Sequence, residues 1–139
     1  LRSRARMLIL RGIAVQLERL DFQVYTDSKW MGFMIGQVLE NSSKYGAKHL
    51  HIWAEKRQEN IVLHIEDDGI GVDEQDIGRI FEKGFTGKNG RAYGKSTGIG
   101  LYLCRKLADK LGMGIFAHSC QEGGLCINFV FPAGSLTEM

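Results

Sequence analysis

An apolar run that ends in a carboxylate and two closely spaced glycines constrains this chain more than any other stretch. Residues 61–65 are apolar apart from one histidine and predict a buried β-strand. Residues 67–71 follow directly with the sequence DDGIG. Glycine lets another group approach the backbone closely, so a carboxylate at this strand end can accept a hydrogen bond from a ligand amino group. Taken alone, a tight turn with solvated aspartates explains the stretch better, and only its combination with other stretches favours a ligand site.

Length and composition bound the class of protein. At 139 residues the chain is long enough for one domain with a substantial core. The net charge of +2 is too small to indicate a nucleic-acid partner. Three cysteines without CxxC spacing predict reduced thiols in a cytosolic protein, and none of the four histidines has metal-ligand spacing. We expect no membrane span, since no apolar stretch approaches about 20 residues, and no signal peptide.

A helix is predicted over residues 28–45, with Gly46 in the C-cap position. An apolar arc should face the core: Met31, Met34, Ile35, Val38 and Leu39. Gln37, Asn41 and Lys44 fall on one stripe beside this arc. The two amides could simply hydrogen-bond each other. Alternatively the stripe is a polar wall, in which Asn41 offers an oxygen to a hard cation and Lys44 offers charge to phosphate.

The remaining pattern predicts strands before and after a second helix. Strands are expected over residues 13–17, 22–25, 50–54, 61–65, 113–118 and 125–131, with a hairpin turn at 57–60. A capped short helix with one apolar side is expected within 72–81. The second long helix should span 101–111 and end at Gly112.

Two glycine-rich segments flank the second helix at its start. Residues 82–96 interleave glycine with lysine and arginine and have few apolar anchors, which favours a mobile ligand lid over an ordinary surface loop. Gly98 and Gly100 would leave the N–H groups of the helix start open to an anion. The GKST sequence at 94–97 is not a P-loop, because Asn89 stands where the first glycine is required.

Together these stretches resemble the catalytic ATP-binding domain of sensor histidine kinases, within the gyrase, Hsp90, histidine kinase and MutL superfamily. The likeness runs from about residue 13 to 132. It is carried by four ordered boxes: residues 37–45 (QVLENSSKY), 67–71 (DDGIG), 81–85 (FEKGF) and 97–101 (TGIGL). Within the family, residues 25–30 and 81–87 look most like the intramembrane-sensing kinases of Gram-positive bacteria.

The resemblance implies a Bergerat fold: an α+β two-layer sandwich with a mixed sheet of about five strands, helices on one face and a flexible ATP lid. It implies ATP and Mg²⁺ as cofactors, with catalytic roles for Gln37, Asn41 and Lys44 and a metal contact at Asn41. Asp67 should accept the adenine amino group. The implied nucleotide-binding residues are Asn41, Lys44, Tyr45, Asp67, Gly69, Ile70, Gly71, Val72, Phe81, Thr86, Thr97, Gly98, Ile99, Gly100 and Leu101.

The resemblance also implies what lies outside the domain. Residues 1–11 should be the end of a connector from a helical dimerisation domain that carries the phosphoacceptor histidine, and 12–139 the catalytic domain. No histidine here has the sequence expected of that acceptor. The implied partners are that helical domain and a cognate response regulator. The full-length protein should be a membrane-bound homodimer with this domain in the cytoplasm, and the isolated domain a monomer.

Three departures from the family pattern matter. Gln37 stands where an asparagine is common, Ser96 replaces the first glycine of the last box, and Gly124-Leu125 replaces a Gly-Thr pair near adenine, removing a hydroxyl. Two alternatives share the pocket: an ATPase of the Hsp90, gyrase or MutL type, and an anti-sigma serine kinase. A domain that binds a nucleotide or a partner without phosphoryl transfer is a third alternative, which the intact glycines and Asn41 disfavour.

Overall fold

The structure is a computed structural model that describes residues 14–18, 28–85, 99–120 and 123–132. Five strands and two α-helices are present there. They are β1 (Ala14–Glu18), α1 (Ser28–Lys44), β2 (His49–Arg57), β3 (Asn60–Asp67), α2 (Gly100–Leu111), β4 (Gly114–Ser119) and β5 (Leu125–Phe131). The predicted strand at 22–25 and the lid beyond residue 85 lie outside the described residues.

The strands form one mixed sheet in the order β1-β2-β3-β5-β4. β1 runs parallel to β2, and all other neighbours are antiparallel. The β2–β3 hairpin turns at Gln58, which has a φ of 56°, and Glu59, as the pattern predicted. The long connections before β2 and between β3 and β4 hold the helices. The expected fold class, a mixed sheet with helices packed on one face, is therefore confirmed.

The hydrophobic core lies between the helices and one face of the sheet. Met34, Val38 and Leu39 of α1 are buried, as is Cys104 of α2. They pack against strand residues of the same cluster that include Phe129 at the centre of β5. Burying each such side chain stabilises the fold by about 1.5–3 kcal/mol. The apolar stripes that the sequence predicted are thus the faces that join the two layers.

The opposite face of the sheet carries a polar and aromatic network. The ring of Trp53 stacks on that of His64, with centroids 4.6 Å apart and 11° between planes. His64 is buried between Glu55, which lies 2.8 Å from its Nε2, and Asn128, which lies 2.5 Å from its Nδ1. This histidine has a structural place in the sheet.

Glycines end both α-helices in the left-handed region. Gly46 follows α1 with a φ of 81°, and Gly112 caps α2 with a φ of 72° and donates its N–H to the last turn. The short helix within 72–81 is a 3-10 helix over Glu74–Arg79. Its predicted cap is wrong, because the Asp73 side chain makes no capping hydrogen bond. Among the described residues no helix is long and apolar enough to span a membrane.

Candidate functional site

The site is built around the carboxyl group of Asp67, the last residue of β3. Its Oδ1 accepts hydrogen bonds from the backbone N–H groups of Gly69, at 3.0 Å, and Leu125, at 3.2 Å. Its Oδ2 accepts one from the hydroxyl of Ser42 on α1, at 2.7 Å. Three donors from α1, β5 and the turn after β3 therefore hold this side chain in a single orientation.

Glycines allow the backbone around Asp67 to pack without side chains. A Cβ on Gly124, whose φ is 90°, would collide with the carbonyl oxygen of Asp67. A Cβ on Gly69 would lie 2.8 Å from the carbonyl oxygen of Tyr45, and one on Gly71 would lie 3.1 Å from the backbone of Gly124. Each distance is shorter than, or at the limit of, ordinary contact. The two glycines of the DDGIG sequence thus serve close approach, as the sequence suggested.

Burial raises the pKa of the Asp67 carboxyl group above its usual value. The hydrogen bonds from Ser42, Gly69 and Leu125 oppose this by stabilising the charged form, and the charge of Asp68 adds to the rise. The carboxylate has about four lone-pair positions, of which the described donors use three. These described donors leave one position on Oδ2 for a further donor.

α1 connects the Asp67 end of the site with the start of α2. Ser42 and Tyr45 lie at the Asp67 end, where the carbonyl of Tyr45 accepts the N–H of Ile70 at 3.1 Å. Gln37 lies at the other end, because a Cβ on Gly100 would be 2.5 Å from its Oε1. The five residue steps of helix from Gln37 to Ser42 span about 7.5 Å. The half-buried Asn41 lies between these two ends, next to Ser42 in the chain.

The start of α2 forms the second side of the site. The helix begins at Gly100, and its N-cap residue, Ile99, has a hydrocarbon side chain and makes no side-chain capping hydrogen bond. The positive end of a helix with an N-terminus of this kind attracts anions. Gln37 and Gly100, predicted from two distant boxes, are in contact here.

The other predicted site residues take three positions. Lys44 and Ile70 are exposed, whereas Val72 and Leu101 are half-buried beside the core. Half-buried Phe81 also packs on the core, with the Arg105 guanidinium 5.7 Å from its ring centroid. Thr86, Thr97 and Gly98 lie outside the described residues.

Two contributors to the Asp67 site were missed from the sequence. Ser42 is 3% exposed and lies four residues after Val38 on the buried face of α1, so its helical phase was the available signal. Leu125 contributes its backbone N–H, which no side-chain pattern reveals. Replacing the usual threonine by Leu125 therefore leaves this contact to Asp67 intact.

Residues 26–135 match the family described as histidine kinase-, DNA gyrase B-, and HSP90-like ATPase. The chain belongs to this ATPase family. ATP is the nucleotide of the family, and the resemblance recognised from the four boxes is confirmed.

The relatives of the chain are sensor histidine kinases. It is 40% identical over 124 residues to sensor histidine kinase YxdK of Bacillus subtilis, covering 86% of this chain and 36% of the relative. It is 35% identical over 125 residues to sensor protein kinase GraS of Staphylococcus aureus, covering 88% of this chain and again 36% of the relative. The chain therefore spans about a third of the length of these proteins.

Solved structures show the same fold. The mycobacterial sensor histidine kinase MprB superposes with a TM-score of 0.83 at 24% identity, covering 97% of this chain and 93% of that one. The catalytic domain of histidine kinase ThkA superposes with a TM-score of 0.76 at 21% identity, covering 93% and 86%. The chain thus shares the fold of these histidine kinase structures.

Proposed function

We propose that this domain binds ATP with the adenine amino group on Asp67, and that Asn41 would hold the Mg²⁺ that accompanies the nucleotide. The observation that carries the proposal is the half-buried Asp67 carboxylate, which three described donors orient while leaving one lone-pair position on Oδ2 for a ligand. An N–H of the base fills that position. Gly69 and Gly71 keep the neighbouring backbone clear of side chains, and Ile70 and Val72 provide apolar contact for the base.

The phosphates lie toward the start of α2 in this proposal. The N–H groups near Gly98, Ile99, Gly100 and Leu101 receive phosphate oxygens at the positive end of the helix. Lys44 and Tyr45 reach the phosphate and ribose side from the end of α1. Thr86 and Thr97 contact the nucleotide from the lid. Phe81, which directly precedes the lid, supports its start.

The residues fit a magnesium ion that arrives with the nucleotide. The described residues contain no group of three or more His, Cys, Asp or Glu side chains able to hold a metal ion. Mg²⁺ commonly keeps several waters and takes substrate phosphates with one or two protein oxygens, so the Asn41 amide oxygen is a suitable single ligand. When bound, the ion would supply positive charge against the phosphates. Gln37, beside Gly100, orients water or phosphate next to it.

In the full-length protein, the γ-phosphoryl group is transferred to a histidine on a separate helical dimerisation domain, to which residues 1–11 connect. The lone pair of an imidazole nitrogen forms the phosphorus–nitrogen bond, the bond from the γ-phosphorus to the bridging oxygen breaks, and ADP leaves with the electron pair of that bond. Domain residues contribute by positioning and charge stabilisation, as phosphoryl transfer generally requires. The phosphoryl group then passes to an aspartate of a response regulator. We place this domain on the cytoplasmic side of a membrane-bound homodimer, as a monomer when isolated.

Calorimetric titration of ATP with and without Mg²⁺ tests the pocket. Wild type should bind with micromolar affinity that Mg²⁺ strengthens. Asp67→Asn places an amide donor against the base amino group and should weaken binding about 100-fold. The variant should still fold, since the amide oxygen can accept from Gly69 and Leu125 while its NH₂ donates to Ser42.

Asp68→Asn is the matched control, because Asp68 is exposed and bonds to the loop before β2. It should bind ATP as wild type does. Equal affinity of wild type and Asp67→Asn would mean that the base lies elsewhere. The full-length protein with γ-labelled ATP should form an acid-labile, base-stable phosphohistidine, and a stable phosphoserine would instead favour the serine kinase alternative.

A further inference from the structure

The hydroxyl of Ser42 is the part of the Asp67 site that the proposed pocket leaves unexplained. Ser42 lies in the last turn of α1 and is 3% exposed. Its Oγ is 2.7 Å from Oδ2 of Asp67, the oxygen with the open lone-pair position. A buried hydroxyl can either donate or accept, so the direction of this hydrogen bond decides what the pocket offers a ligand.

The charge of Asp67 sets that direction. Oδ1 already accepts two backbone N–H groups, and an ionised carboxylate carries no hydrogen. The Ser42 hydroxyl must therefore give its only hydrogen to Oδ2. Its own oxygen is then left with lone pairs alone. The edge formed by Ser42 Oγ and Asp67 Oδ2 consequently presents acceptors and no donor.

We propose that Ser42 is a positioning residue that makes this edge acceptor-only, so that the site selects 6-amino purine nucleotides and rejects 6-oxo purine nucleotides. The inference rests on the proposed function, in which Asp67 receives the base amino group. A 6-oxo group would place its lone pairs against those of Oδ2, with no hydrogen between them. Such a buried clash between acceptors disfavours the wrong base more than a lost contact would.

Removing the Ser42 hydroxyl allows the edge to present a hydrogen-bond donor as well as acceptors. Without Ser42 as a donor, Oδ2 keeps no hydrogen bond among those described, and only the two bonds to Oδ1 hold the carboxyl group. The protonated carboxyl group then becomes easier to form, and its O–H can donate to a 6-oxo group. Selectivity between the two bases, rather than binding as such, is therefore the property that depends on Ser42.

The test measures the dissociation constants of ATP and of inosine triphosphate, which carries a 6-oxo group, for wild type and Ser42→Ala. The dissociation constant of inosine triphosphate divided by that of ATP measures the selectivity. This ratio should fall about tenfold in the variant, because one hydrogen bond to a charged group is lost. A packing defect in α1 would weaken both nucleotides equally and leave the ratio unchanged. Ser43→Ala, the same substitution one position along the helix, is the matched control and should keep the wild-type ratio.

Ser42→Cys provides a second variant of similar size with a weaker donor, and its ratio should lie between those of wild type and Ser42→Ala. An unchanged ratio in both Ser42 variants would overturn the inference while leaving ATP binding on Asp67 intact. Asp67→Asn distinguishes a failure of the proposed base position from a failure of the proposed role of Ser42. If that variant kept the full affinity and selectivity for ATP, the proposed base position would be wrong, and the role of Ser42 would fall with it.

Discussion

Asp67 and Asp68 are neighbours at the end of β3, and each carboxyl group accepts three hydrogen bonds, yet their pKa values shift in opposite directions. Asp67 is bonded to Ser42, Gly69 and Leu125, and burial raises its pKa. Asp68 is exposed. Slight burial raises its pKa, but the hydrogen bonds from the backbone and ring of His49 and the backbone of Lys48 outweigh this and lower it.

The number of donors therefore does not decide the direction in which the pKa of a carboxyl group shifts here. Burial decides that direction, because desolvation of Asp67 outweighs three donors while desolvation of Asp68 does not. Side chains alternate between faces along a strand, so adjacent residues reach different surroundings. Three donors hold the Asp67 carboxyl group at a cost in desolvation, whereas Asp68 joins the start of β2 to the end of β3.

The largest loss of stability should come from adding a side chain where the backbone of Gly124 packs against Asp67. Gly124→Ala puts a Cβ onto the carbonyl of Asp67 at a φ of 90°, and we expect the free energy of unfolding to fall by about 3 kcal/mol or more. Chemical denaturation measures this. Gly123→Ala is the control: its φ is 95° but a Cβ there would meet nothing within 4 Å, so only about 1–2 kcal/mol of backbone strain applies. Equal losses in the two variants would show that the contact with Asp67 is unimportant.

ATP affinity should depend on pH through Asp67. Because its pKa is raised, Asp67 takes up a proton at a higher pH than an ordinary aspartate, and binding should weaken about tenfold per pH unit below that point. The nearby thiols of Cys120 and Cys126 have pKa values raised to about 11 and about 12 and stay neutral throughout. Asp68→Asn should keep this dependence. Asp67→Asn should retain only the part that comes from the phosphates, and an identical profile in both variants would contradict the assignment.

Asp67→Asn should also stabilise the nucleotide-free domain at neutral pH. A raised pKa in the folded state contributes stability that is present below the unfolded pKa and is lost as pH rises through the folded value. The ionised carboxyl group is thus destabilising at pH 7, and a neutral amide of the same shape removes that cost. Thermal denaturation without nucleotide should give a higher Tm for the variant at pH 7 and a smaller difference at pH 4. A lower Tm at pH 7 would mean that the three hydrogen bonds stabilise the ionised carboxyl group by more than its desolvation costs.

The smallest effect should come from Asp68→Asn, with the opposite sign. A lowered pKa contributes stability that is present above the unfolded pKa and is lost as pH falls through the folded value. The Asp68 side chain is 46% exposed, so solvent screening limits the loss to less than about 1 kcal/mol at pH 7. Urea denaturation at pH 7 and pH 3 should show the difference from wild type shrinking at the lower pH. A variant more stable than wild type at pH 7 would remove the contrast between the two aspartates.

Much of the fold could be predicted from the sequence because its signals are local. The apolar arc of α1 predicted that helix, and the glycines at 46 and 112 predicted the ends of both helices. Turn residues predicted where one strand ends and the next begins. The cap at Asp73 could not be predicted reliably, because a capping residue is only permitted, not forced, to make its bond. The DDGIG sequence located the site, but not which donors surround its first carboxylate.

The sequence by itself determined the family, the order of the elements and the position of Asp67 at a strand end, since these depend on periodicity, glycine conformation and ordered motifs. Only the tertiary structure decided the environment of that carboxylate. Ser42 and Leu125 reach Asp67 from 25 and 58 residues away, and Gly124 is required because β5 passes against the backbone of β3. Burial is a property of the assembled layers, so the opposite pKa shifts of two adjacent aspartates exist only once the sheet and α1 have packed together.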